Sequence, residues 1–157
     1  MGSVATVESV MDVRRGMFVE PRVRSGVGLA SHQALLGFDL VAAAESHLSL
    51  FNRMRDYLHG EPVDTTWFTL EAQSVSCELG EWMENEGKAR FGQLPSFVRL
   101  CERHAEFHYY AEAVLEKIRS GSWIAAEQMR KQEFSQSLRR VLIMLTELNE
   151  DIRALSC

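Results

Sequence analysis

In 134-FSQSLRRVLIMLTELNEDIRAL-155 the apolar residues Phe134, Leu138, Val141, Leu145, Leu148, Ile152 and Leu155 recur at steps of 4, 3, 4, 3, 4 and 3. That repeat is one face of an α-helix. No alternating strand pattern competes with it. Working upstream, Ser120-Gly121-Ser122 reads as a turn, and Pro95 with Ser96 opens a helix that runs to about Arg119. A helix from about Trp67 to Glu84 precedes it, with N-cap candidates in Asp64-Thr65-Thr66 and an end near Gly87. Before the break at His59-Gly60-Glu61-Pro62, the stripe Leu36, Leu40, Ala43, His47, Leu50, Met54 and Leu58 repeats at steps of 4, 3, 4, 3, 4 and 4. Amphipathic helices joined by short loops predict an all-α fold, an antiparallel four-helix bundle over residues 31–157. Residues 1–30 hold Gly2, Gly16, Pro21, Gly26 and Gly28 among Val-rich pieces. They read as an irregular N-terminal arm with a short helix at Val7 to Arg15.

With 157 residues, 46% of them hydrophobic and 25% charged, the chain is long enough to bury the core of one domain. A net charge of -5 and a pI near 5.6 argue against nucleic acid, because phosphate binding needs clustered Lys and Arg. No apolar run has the length of a membrane span, and no signal-peptide order opens the chain, so a cytoplasmic protein is expected. Cys77, Cys101 and Cys157 are an odd number at irregular spacing, which fits a reducing compartment better than a disulfide framework.

The unusual feature is 101-CERHAEFH-108. Phe97, Cys101, His104, His108, Ala111 and Leu115 fall within roughly an 80° sector of one helix, so both imidazoles point with the apolar residues. His47 sits in an apolar stripe of its own. An unpaired buried polar group costs about 1–3 kcal/mol, so these nitrogens need partners. A backbone carbonyl or an acid satisfies most core histidines, and a lone Cys77 is most often an inert small hydrophobe. The combination points further. His47, Cys77 and the i, i+4 pair His104/His108 offer donors from three helices whose number and type suit tetrahedral zinc. Cys101, one turn before His104, is the alternative thiolate. His32 and His59 read as solvated. Calcium or magnesium would want oxygens, and a di-iron bundle would want paired Glu-x-x-His motifs, of which Glu112 near His108 is the only trace. A haemerythrin-like iron bundle and a metal-free structural bundle remain the alternatives at this point.

His47, then 77-CELGEW-82, then 94-LPSFVRLCERHAEFH-108 resembles the chemoreceptor zinc-binding domain family over roughly Ser31 to Leu155. Leu48, Leu50 and Phe51 stand where many members carry an aromatic, often Trp, after the first His. The resemblance implies a cytoplasmic helical module of bacterial signalling, chemotactic or cyclic-di-GMP type, binding Zn²⁺ through His47, Cys77, His104 and His108. It implies no catalytic residue and no organic cofactor, a homodimer, and a chemoreceptor or diguanylate cyclase as signalling partner. Neither a receptor signalling hairpin nor a cyclase signature is present, so a stand-alone or excised domain is expected. Cys77 would be the zinc- or oxidant-responsive switch. Gly80 would permit close approach, and Trp82 would lay its ring over the site.

Overall fold

The computed structural model describes residues 37–66, 68, 72, 73 and 77–157. The expected arm over residues 1–30, its helix at Val7 to Arg15, and His32 lie outside the described residues. Leu40–Cys157 form a compact unit. It is an all-α bundle, and no strand occurs among the described residues. Its elements are α1 (Leu40–Leu58), α2 (Glu78–Glu84), α3 (Glu86–Phe91), α4 (Pro95–Arg119), α5 (Trp123–Met129), a π-turn (Arg130–Phe134) and α6 (Ser135–Leu155).

The long helices follow the sequence pattern closely. Leu40, Ala43, His47, Leu50 and Met54 are the buried residues of α1. Pro95 stands in the first turn of α4, where its missing N–H costs nothing. Gly121 takes φ 75° in the turn after α4, a left-handed conformation that suits glycine. The last helical segment begins at Trp123 and continues through the π-turn into α6, whose buried stripe is Ser137, Leu138, Val141, Leu145, Leu148 and Ile152. Ion pairs Arg99–Glu147 and Arg140–Glu106 set α4 antiparallel to α6. Phe51 against Phe134 and His59 against Glu127 do the same for α1 and the final segment.

The helix expected from Trp67 to Glu84 is corrected. Cys77 has φ -92° and ψ 143°, extended backbone through which an α-helix cannot run, and α2 starts only at Glu78. The reason is local: the Cys77 sulfur accepts the Gly80 N–H at 3.2 Å, so Cys77 caps the helix instead of continuing it. The end expected near Gly87 also shifts. The backbone breaks at Asn85, and α3 carries on through Gly87 to Phe91. Trp82 lies on Phe97 of α4, and Met83 on Cys101, so α2 packs on α4.

Candidate metal centre

Three elements meet at one buried point. His47 comes from α1, Cys77 from the cap of α2, and His104 and His108 from successive turns of α4. One donor atom from each of these residues lies within 4.8 Å of all the others. The three imidazoles are buried, each no more than 3% exposed, and the thiol is half-buried. His104 Nε2 lies 3.0 Å from Cys77 Sγ and 3.0 Å from His108 Nε2. The i, i+4 spacing of the α4 pair is what brings their rings to 4.5 Å between centroids.

Backbone carbonyls choose the tautomers. The Ala43 carbonyl accepts from His47 Nδ1 at 2.7 Å, and the Ala72 carbonyl accepts from His108 Nδ1 at 2.8 Å. With the proton on Nδ1, each neutral ring presents a lone pair at Nε2, and the carbonyl fixes its orientation. Among the described residues, the buried His47 Nε2 has no hydrogen-bond partner. That is a costly group unless a ligand satisfies it.

Burial sets the protonation. It lowers the pKa of His47 despite the opposing bond to Ala43. It pushes His104 down to about 2, helped by repulsion from His108 and His47. His108 falls to about 4, again through burial first. The Cys77 thiol is pushed up by burial, against a smaller pull from the Gly80 N–H. All three rings are therefore neutral donors at neutral pH.

The donor set fits zinc. Tetrahedral zinc, with bonds of about 2.0–2.1 Å to nitrogen and about 2.3 Å to sulfur, separates its donors by roughly 3.3–3.6 Å. The cluster needs only small side-chain adjustments to reach that spacing. No carboxylate joins it among the described residues, and Glu112 is exposed on α4. The inward acids that a di-iron reading requires are not found among the described residues.

The remaining sequence candidates fall elsewhere. Cys101 Sγ rests 3.8 Å from Met83 Sδ, outside the cluster. His59 is exposed, as expected, and its ring reaches Glu127 at 3.2 Å. Gly80 acts through its N–H on Cys77. The Trp82 ring packs on Phe91, Phe97 and Gly87. A side chain missed in the sequence, Phe107, lies against the imidazoles of His47 and His108, with centroids at 5.1 and 5.2 Å. Its place between the two histidines of HAEFH was the available signal.

Among the described residues no helix is long and apolar enough to cross a membrane. No curated protein and no solved structure gives a significant match to the chain. The family model for the chemoreceptor zinc-binding domain does match, over residues 47–115, a span that begins at His47 and contains Cys77, His104 and His108. Residues 47–115 thus match the chemoreceptor zinc-binding domain, and within that span lies a buried three-histidine, one-cysteine cluster able to hold its metal.

Proposed function

We propose that this chain is a zinc-dependent sensory module of bacterial signalling whose ligands are Nε2 of His47, His104 and His108 and Sγ of Cys77. The observation that carries the reading is the convergence of four donor atoms within 4.8 Å, together with a buried His47 Nε2 that has no hydrogen-bond partner among the described residues. Bound zinc supplies positive charge that removes the Cys77 proton in spite of burial. The carbonyls of Ala43 and Ala72 hold two of the rings in their liganding tautomer. Gly80 donates its N–H to the sulfur and steadies the thiolate.

Four protein ligands leave no open position for an activated water, which favours a sensory over a catalytic role. Three neutral imidazoles and one thiolate leave the filled centre with about one positive charge, and the single sulfur is its most oxidisable ligand. Cys77 is thus the switch. Loss of its bond, by metal removal or by oxidation, frees the cap of α2, and α2 then shifts against α4. A cytoplasmic location, a homodimer and a receptor- or cyclase-type partner complete the proposal. A monomeric mass in solution would remove the dimer.

The test is elemental analysis of protein purified without an affinity-tag metal, followed by a competition titration. One zinc per chain is expected. Metal-free protein whose melting point ignores a chelator would sink the reading.

A further inference from the structure

The final helical segment contains a π-turn, Arg130–Phe134, that no part of the metal cluster explains. Its last residue, Phe134, is fully buried. Its ring lies 4.9 Å from that of Phe107 and 5.1 Å from that of Phe51. Phe107 in turn rests on the imidazoles of His47 and His108. Phe51 follows His47 by one turn on α1, and the Arg130 guanidinium stands 5.3 Å from the Phe51 ring. Phe134 is therefore wedged between the two helices that carry all three histidines.

The π-turn is what puts it there. Residues four apart on a regular α-helix drift by about 40° at each step. Yet Ala126, Arg130, Phe134 and Leu138 are all buried at four-residue intervals. The wider turn takes in one extra residue and offsets that drift, so Arg130 and Phe134 face the core together. Glu127 then receives the buried guanidinium at 2.7 and 2.8 Å.

We infer that Phe134, aimed by the π-turn, is a positioning residue for the metal centre. Through Phe107 it holds the His47 and His108 rings in the liganding orientation, and it carries occupancy of the centre into the last helix. The inference rests on the zinc reading above. A ring already packed in place binds without losing rotamer freedom, whereas an unsupported one must be ordered as the metal arrives. Linkage makes the effect reciprocal: whatever tightens zinc through Phe134 is itself tightened by zinc.

The experiment compares zinc affinity, by chelator competition, in the wild-type chain and in Phe134→Leu, Phe134→Ala and Leu148→Ala. Leu148 is also fully buried and sits about 21 Å further along the same helix. Phe134→Ala should weaken zinc by about tenfold or more, the scale of a lost supporting contact, with Phe134→Leu in between. Leu148→Ala should stay within about twofold despite its own loss of stability. The visible spectrum of the cobalt(II)-loaded protein should change in the Phe134 variants alone. Should the alanine variant not fold, hydrogen exchange on the wild type decides. Zinc should protect amides 131–138 more than amides 146–153. Equal affinities for the Phe134 and Leu148 variants, or equal protection of the two segments, would overturn the inference while leaving the zinc reading intact. A wild-type chain that takes up no zinc would defeat both.

Discussion

At Cys77 two environments pull against each other. Burial raises the thiol pKa, and the Gly80 N–H only partly offsets it, so without a cation the sulfur keeps its proton. A cation reverses the balance. Cys77→Ala should therefore cost more zinc affinity than the 10- to 100-fold typical of lost outer contacts, because under the proposed ligand set it removes a ligand outright. It also removes a cap bond, a loss of about 0.5–2 kcal/mol confined to α2, so the far-ultraviolet dichroism should stay nearly unchanged. Undiminished zinc affinity in the purified variant would count against the assignment. The imidazoles make a separate prediction for the metal-free protein. Their folded pKa values lie below that of an unfolded histidine, so the unfolded chain takes up protons first as pH falls. Stability is then complete above about pH 6.5 and drains away as pH drops towards the folded values. Melting of chelator-treated protein should move steadily lower between pH 7 and 5, and a flat profile would show that the rings are not buried neutral.

The short helices are where local packing is least forgiving. A Cβ on Gly87 would stand 2.9 Å from three atoms of the Trp82 ring, which is itself held by Phe91 and Phe97. Gly87→Ala should destabilise the bundle by about 1–3 kcal/mol, the usual cost of overfilling a packed site, measured by denaturant titration. Loss of zinc affinity greater than the loss of stability would mean that α2 and α3 reach the metal more directly than these contacts indicate. These elements also mark where the sequence stopped being readable. Helices α1, α4 and α6 were legible because their stripes are long and uniform, and the i, i+4 histidines could be placed on one face of α4 from spacing alone. The start of α2 was not. Nothing in the composition of 67–84 says that a cysteine sulfur will take the place of a Ser or Asp cap. The π-turn was hidden for a similar reason: a one-residue excess changes the phase of the stripe, and only the buried Arg130 betrays it.

For the whole bundle the centre ties together segments that are far apart in the chain, since His47, Cys77 and His108 span α1, the cap of α2 and α4. A cation binding only the folded arrangement stabilises it by mass action, by about 4.1 kcal/mol when free zinc exceeds its dissociation constant a thousandfold. For a domain of this size about 4 °C accompanies each kcal/mol, so the midpoint should rise by roughly 15 °C between chelator and saturating zinc. The same comparison in Cys77→Ala isolates the cause. With one ligand gone the zinc-dependent rise should shrink to a few degrees, about the 1.4 kcal/mol per tenfold that the lost affinity predicts. A rise equal to that of the wild type would place the stabilising zinc somewhere other than this cluster, on surface groups such as His59 and Glu127 that also lie within reach of each other.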